Sequence, residues 1–169
     1  MKRPSSEWEG LSSTVKEMIS SYHADIPVKI GELAKALGLS VKVSTLDVGI
    51  SGMIEPCQEC LGGFKITINK HEPKHRQRFT LAHEVAHYLL HRELIGVGLS
   101  DNILYRSKLT DEKEAEANRL ASDILMPRSV LRSWIDNCEQ KKAADYVSRV
   151  SMEFGVSEEA MRISLGLKQ

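Results

Sequence analysis

Two histidines one helical turn apart, His83 and His87, constrain this chain more than any other feature. Positions i and i+4 of an α-helix lie on one face, about 5–6 Å apart. At that separation both imidazoles can reach one metal ion at about 2.0–2.1 Å. Glu84 lies about 100° round the helix from His83, so it is placed to touch a water held by that metal rather than to join the ligands. The pattern HExxH therefore predicts metal-assisted hydrolysis, with Glu84 as the general base.

The residues around the motif favour a buried helix. From Arg76 to Leu94 the chain contains no proline or glycine, and apolar residues continue the helical pattern. A helix with this much apolar surface is largely buried. An amphipathic helix with ordinary surface or core histidines is the alternative. Buried histidines beside a glutamate need partners, however, and a metal would satisfy all three side chains.

A third ligand is needed, because two imidazoles alone do not hold zinc well. The segment 111–126 reads as a second helix with acidic residues in its first turn. At about 100° per residue, Glu114 lies on the apolar side of this helix, whereas Glu112 and Glu116 point the other way. Glu114 is therefore the expected third ligand. Asn118, one turn further on, is placed to hydrogen-bond a ligand histidine.

Other ligand sets fit less well. His91 follows the motif by one turn but lies about 12 Å along the helix from its first histidine, so a structural role or a contact with a ligand is expected for it. A three-histidine site needs glycine and histidine where this chain has Leu90 and Glu93. An iron oxygenase site also uses two histidines and one carboxylate. The adjacent Glu84 favours hydrolysis over that chemistry.

The composition is that of a small globular chain without a strong overall charge. It has 169 residues, of which 41% are hydrophobic, and 23 basic residues balance 23 acidic ones. This balance gives no field that would attract nucleic acid or an anionic membrane. There is no apolar run of the roughly 20 residues that a membrane span needs. Three cysteines and a polar first segment, which is not expected to be a secretory signal, lead us to expect a cytoplasmic location.

Helices and strands are both predicted along the chain. Besides the two ligand-bearing helices, helices are predicted at 11–22, 29–37, 128–137, 143–154 and 158–165. Strands are predicted at 41–46, 50–54 and 64–69, with the 50–54 strand in the middle and an edge of the 64–69 strand free to pair with an extended substrate. We expect a loose N-terminus at 1–10, a catalytic domain at 11–137 and a C-terminal helical extension at 138–169 packed on it.

A second group of metal-type residues lies just before the active helix. Cys57 and Cys60, with His71 and His75, mimic a two-cysteine, two-histidine zinc finger. The gap between the pairs is ten residues rather than about twelve, and Pro73 falls where a finger needs helix. Loop cysteines without a role are favoured, with a redox pair or a second structural zinc as alternatives.

The C-terminal segment 143–165 is patterned like a helix-turn-helix. Its second helix would begin with Glu158 and Glu159, where base contacts should lie, and these carboxylates would repel phosphate. Direct DNA binding is therefore not favoured. We expect this segment to pack on the catalytic unit or to dock a partner protein.

Several of these motifs together resemble the ImmA/IrrE family of metallopeptidases. The resemblance is carried by residues 78–91, 114–118 and 125–127, and it extends over about residues 25–165. It implies a small α+β, zincin-like fold, in which a sheet of about three strands packs on the active-site helix that carries HExxH, with further helices on the N- and C-terminal sides. The pair Val85-Ala86 replaces the more usual Leu-Gly, a mild change that leaves the ligands untouched.

The resemblance also implies an activity. His83, His87 and Glu114 look like metal ligands and Glu84 like the catalytic base of a zinc-dependent endopeptidase with one Zn²⁺ per chain, although Mn²⁺ and Fe²⁺ remain open. Known members act on helix-turn-helix repressors of mobile elements or stress responses, so such a repressor is the expected substrate. The alternative is a metal-binding protein that inactivates a repressor or toxin by association, without cleavage. Candidates for stabilising the oxyanion or contacting the substrate are Tyr88, Tyr105 and Arg78, and the loop 96–109 is a candidate lid.

Overall fold

Helices surround a small mixed sheet in the computed structural model, which describes residues 3–95, 111–137 and 145–167. The strands are β1 (Ser40–Ser44), β2 (Gly52–Pro56) and β3 (Phe64–Asn69). The helices are α1 (Ser6–Gly10), α2 (Ser13–Ser21), α3 (Ile30–Ala36), α4 (Lys74–Leu90), α5 (Asp111–Leu125), α6 (Arg128–Asn137), α7 (Tyr146–Phe154) and α8 (Glu158–Leu165), and 3₁₀ turns occupy Tyr22–Ala24 and Arg92–Leu94. The predicted α+β fold, in which a small three-stranded sheet packs on the HExxH helix with further helices before and after it in the chain, is confirmed.

The sheet has the order β1-β3-β2, so β3 is its central strand. β1 runs parallel to β3 and β2 runs antiparallel to it, with Ile66 opposite both Val41 and Ile54. The last four residues of β3 are buried, as expected for a strand covered on both faces. The prediction that the 50–54 strand lies in the middle is therefore wrong. The predicted substrate-pairing edge on β3 is also wrong, because both of its edges are already paired.

The helix α4 returns along the sheet directly after β3. Its apolar side, including Ala82, Val85 and Ala86, is fully buried. The first residue of β2, Gly52, lies so close to α4 that an added Cβ would meet the Thr80 methyl group and, at 3.2 Å, the carbonyl oxygen of Thr67. A glycine here lets the start of β2 lie against the helix that carries the HExxH motif.

The helix α5 packs beside α4 through small residues. Ala117 and Ala121 have no exposed surface, so the two helices approach closely along this side. The opposite side of α5 is covered by α1, whose residue Trp8 packs against the core. Within residues 1–10, which were expected to be loose, the structure has the helix α1, with Ser5 as its N-cap and an ion pair from Glu7 to α5.

The C-terminal helices belong to the same core. Phe154 and Met161 are fully buried in the cluster that also contains the apolar side of α4. Arg78 of α4 links this segment to the N-terminal half by donating to the carbonyl oxygens of Gly155 (3.2 Å) and Val28 (2.9 Å). Across the described ranges, every helix is too short or too polar to cross a membrane.

Candidate metal centre

Three side chains from two neighbouring helices meet at one point. The Nε2 atoms of His83 and His87 on α4 lie 2.9 Å apart. The carboxylate of Glu114 on α5 places Oε2 3.2 Å from His83 Nε2 and Oε1 3.4 Å from His87 Nε2. Within the described residues, this is the one group of three histidine, cysteine or acidic side chains whose ligand atoms all lie within 4.8 Å of one another.

The local structure explains this convergence. His83 and His87 occupy positions i and i+4 of α4, which puts both rings on the side that faces α5. Glu114 lies about one turn before the alanines that bring α5 against α4, so its carboxylate reaches the same side. His87 is the most enclosed of the three, with 2% of its side chain exposed, against 14% for His83 and 39% for Glu114. The cluster is therefore partly accessible to solvent, through Glu114 and His83, rather than sealed in the core.

The spacing of these atoms fits a divalent metal. Ligands about 2.0–2.1 Å from a tetrahedral ion lie about 3.3 Å from one another, and the three contacts in the cluster measure 2.9, 3.2 and 3.4 Å. Two imidazole nitrogens and one carboxylate are also a donor set that zinc sites use. The geometry and the types of donor atom both agree with a metal site.

The electrostatics of the cluster favour a positive charge between the side chains. Burial opposes the charged form of His83, yet its hydrogen bond to Glu114 and the nearby carboxylates of Glu84 and Glu114 leave its pKa raised. Hydrogen bonds from His83 and His87 hold the pKa of Glu114 well below its usual range. A proton or a metal cation supplies the charge that such a site needs.

Glu84 and Asn118 both line the cleft that opens beside His83. Glu84 is 2% exposed and lines, together with His83, a cleft of about 430 Å³. Asn118 places Oδ1 3.0 Å from Nδ1 of His83, where it can accept the proton of that ring nitrogen. A proton on Nδ1 leaves the lone pair of Nε2 directed at the cluster, as a metal ligand requires.

The structure does not bring the other candidate residues to the cluster. Tyr88 packs edge-on against Phe64 with ring centroids 5.6 Å apart, and the guanidinium of Arg92 lies 4.8 Å from its ring centroid. The donors of Arg78 are directed at backbone carbonyls, and neither side chain lines the cleft beside His83. These contacts place the side chains of Tyr88 and Arg78 away from the cleft, and their predicted part in contacting the substrate stays a prediction. Tyr105 and the candidate lid 96–109 lie outside the described residues.

Some residues near the cluster were not identified from the sequence. Glu116, which helical phase placed on the outer side of α5, bonds through Oε2 to Nε2 of His91 at 2.8 Å. Ser157 and Glu159, from the start of the C-terminal helix, line the cleft beside His83. The contact of His91 with the ligand His87, 3.0 Å between their Nδ1 atoms, agrees with the role that the sequence suggested for His91. No local signal indicated the C-terminal residues, whose position depends on how α8 packs.

The second group of metal-type residues does not form a site. Cys57 and Cys60 are joined by a disulfide in the turn between β2 and β3. The Nε2 atom of His71 instead lies 3.2 Å from Oγ1 of Thr45. The zinc-finger alternative is therefore not supported, and the cysteines are paired with each other rather than unpaired loop residues.

Comparisons with known proteins agree with this site. The family model described as the IrrE N-terminal-like domain, a peptidase family, matches residues 57–165, a stretch that includes all three clustered side chains. No curated protein matches the chain. Among solved structures, a Mycobacterium tuberculosis transcriptional regulator is similar in fold, with a TM-score of 0.60 and 14% sequence identity.

That similarity covers 92% of this chain and 46% of the regulator, so the chain spans about half of the length of that structure. At this identity the similarity shows the fold alone. The family model is the stronger finding, because it covers more than half of the sequence, from the turn after β2 to the end of α8. This chain belongs to the ImmA/IrrE family and carries a metallopeptidase-like domain of the IrrE N-terminal type.

Proposed function

We propose that this chain is a zinc-dependent endopeptidase, with His83, His87 and Glu114 as the metal ligands and Glu84 as the general base. The observation that carries the proposal is the convergence of two imidazole nitrogens and one carboxylate within 4.8 Å. Glu84 borders the cleft that opens beside this cluster. Membership of a peptidase family supports the same chemistry.

Each of these residues has a defined part in peptide hydrolysis. A divalent metal bound at the cluster would lower the pKa of a water molecule and polarise the carbonyl of the scissile peptide. Glu84 takes the proton from the attacking water and passes it to the leaving amine. Glu84 is 2% exposed, so its carboxylate is largely shielded from bulk water. Asn118 keeps the proton of His83 on Nδ1, away from the cluster.

The cleft beside the cluster has room for part of a substrate. Its volume of about 430 Å³ falls within the range of about 300–1,000 Å³ that is typical of ligand sites. His75 and Arg76 line it from the start of α4, while Glu159 lines it from α8, so it presents groups of both charges. We propose a helix-turn-helix repressor as the substrate, on the strength of the family resemblance; the similar Mycobacterium tuberculosis protein is itself a transcriptional regulator.

The test is cleavage of such a repressor by wild type and by Glu84→Gln. Loss of a general base typically costs about 10²–10⁴-fold in rate, so the variant should leave the repressor intact while retaining its metal. Glu93→Gln, the same change at an exposed glutamate just after α4, is the matched control and should cleave normally. Binding of an intact repressor by the wild-type chain, with no fragments formed, would instead support inactivation by association.

A further inference from the structure

A chain of hydrogen-bonding side chains lies behind His87, on the side away from Glu114. Nδ1 of His87 is 3.0 Å from Nδ1 of His91, and Nε2 of His91 is 2.8 Å from Oε2 of Glu116. His91 is the C-cap residue that follows α4, one turn after His87, and Glu116 comes from α5. The chain therefore spans the same two helices as the metal cluster, without sharing a residue with it except His87.

His87, His91 and Glu116 are largely buried, so each of them needs the hydrogen bonds that it makes with the others. Each of the two histidines exposes 2% of its side chain, and Glu116 exposes 28%. Buried polar nitrogens without a partner are costly, and replacing one member would leave the next one unsatisfied. The contact between the two rings also has a direction. Two Nδ1 atoms face each other, and for a hydrogen bond one of them must donate and the other must accept.

The positions of the protons follow from these contacts. A metal ligand must offer the lone pair of Nε2, so the proton of a neutral His87 lies on Nδ1. Nδ1 of His91 must then accept it, which leaves the proton of His91 on Nε2. That proton is donated to Glu116, whose carboxylate is an acceptor only. With both rings neutral, this is the arrangement that satisfies every contact and directs His87 at the cluster.

The two ligand histidines thus have different supports. His83 donates to the neutral amide oxygen of Asn118, whereas His87 is connected through His91 to a carboxylate. A carboxylate behind a ligand imidazole fixes its tautomer and increases its basicity. Here the carboxylate of Glu116 acts through the imidazole of His91, and so it can affect the basicity of His87, the more buried of the two ligands.

We propose that His91 and Glu116 are positioning residues that hold His87 in its metal-binding tautomer and strengthen it as a ligand. The proposal rests on the metal site of the proposed function but does not depend on what the enzyme cleaves. It assigns to Glu116 a role distinct from that of Glu114, although the two glutamates are only two residues apart on α5. It also predicts that metal affinity depends on a hydrogen-bond acceptor at the position that Nδ1 of His91 occupies.

The experiment is a competition measurement of Zn²⁺ affinity, with a chromophoric chelator, on the full chain. His91→Phe keeps the ring shape but removes the acceptor, and should weaken binding by about 10–100-fold, the usual effect of losing such a partner. In His91→Asn, Oδ1 replaces Nδ1 as an acceptor for the His87 proton, so this variant should recover most of the affinity. A purely structural role for His91 would give the opposite order, because phenylalanine fills the space better than asparagine.

Glu116→Gln tests the carboxylate, and Glu112→Gln is its matched control. Both changes remove one negative charge from α5, but Glu112 is exposed and one turn away. Weaker Zn²⁺ binding is expected for Glu116→Gln alone, with all variants showing the wild-type circular dichroism spectrum. The proposal is overturned if Glu116→Gln and His91→Phe bind Zn²⁺ as tightly as Glu112→Gln, or if His91→Asn is as weak as His91→Phe. A wild-type chain that binds no Zn²⁺ would overturn the proposed function as well, so the two failures are distinguishable.

Discussion

On one face of α5, Glu114 and Asn118 reach toward the histidines of α4. On the opposite face, Arg119 and Asp123 reach toward α1 and α6, where each meets a partner of opposite charge. Both faces carry charged groups that are partly or fully buried, but these groups differ in whether the protein itself supplies the opposite charge. Glu114 faces two imidazoles that carry no fixed charge. The negative charge of its carboxylate is therefore neutralised only when a cation joins the cluster. The charges on the outer face are already balanced within the chain.

This difference separates function from stability along a single helix. On the face toward α4, polar groups are held in an arrangement that serves a metal. On the outer face, Asp123 receives hydrogen bonds from Arg128 at 3.0 Å and from the backbone N–H of Ser5 at 2.8 Å, so it joins α6 and the N-terminal segment to α5. Substitution of Glu114 and substitution of Arg119 or Asp123 should therefore have separable effects.

The largest expected effect on stability is that of Asp123→Ala. The side chains of Asp123 and Arg128 are 3% and 14% exposed, and removing one partner of a buried ion pair typically costs about 3–5 kcal/mol. Arg128 also donates to the carbonyl oxygen of Ser164, so its displacement would loosen α8. Urea unfolding of the metal-free protein measures this loss, while the Zn²⁺ affinity of the folded variant should match that of wild type.

Asp145→Ala is the matched control for that change. Asp145 pairs with Arg149 at 2.7 Å, but both side chains are more than half exposed, and such pairs contribute about 0.2–1 kcal/mol. Equal unfolding midpoints for the Asp123 and Asp145 variants would show that the outer face of α5 does not hold the helices together. Weakened Zn²⁺ binding by folded Asp123→Ala would show that the two faces are not separable.

A smaller, pH-dependent effect is expected for Arg119→Met. The hydrogen bonds from Arg119 lower the pKa of Glu7 from 4.5 to about 2. A lowered folded-state pKa contributes stability that is present above the unfolded pKa and is lost as the pH falls through the folded one. Because Arg119 is 49% exposed, the contribution at neutral pH should be about 0.2–1 kcal/mol.

Urea midpoints of wild type and Arg119→Met, measured from neutral pH down to about pH 2, would detect this effect. The difference between the two proteins should be present at neutral pH, shrink below about pH 4.5 and vanish near pH 2. A difference that persists unchanged at the lowest pH would mean that Arg119 stabilises the chain by packing rather than through Glu7.

The same helix shows which features a sequence can reveal. His83, His87, Glu114 and Asn118 were all identified from helical phase, because their mutual positions depend on the regular geometry of α4 and α5. The bounds of β3, α6 and α8 were also predicted correctly, since strong local patterns define them. In each case the residues that define the feature are close together in the sequence.

The features that were missed depend on how distant elements pack. Helical phase placed Glu116 and Asp123 on an outward face, but it could not show that α1 and His91 would cover that face. The central position of β3 likewise depends on pairing with β1 and β2, and strand patterns do not specify neighbours. Tyr88 and Arg78 were plausible by their nearness to the motif, yet they point to the sheet and to backbone carbonyls.

The most direct test of the account is the metal content of the purified chain, measured by elemental analysis on wild type, Glu114→Ala and Asp123→Ala. We expect about one zinc per folded chain in wild type and in Asp123→Ala, and none in Glu114→Ala, because a site of this type needs three protein ligands. Zinc retained by Glu114→Ala, or a wild-type chain that holds no metal after dialysis against Zn²⁺, would contradict the central claim that the face of α5 toward α4 completes a metal site.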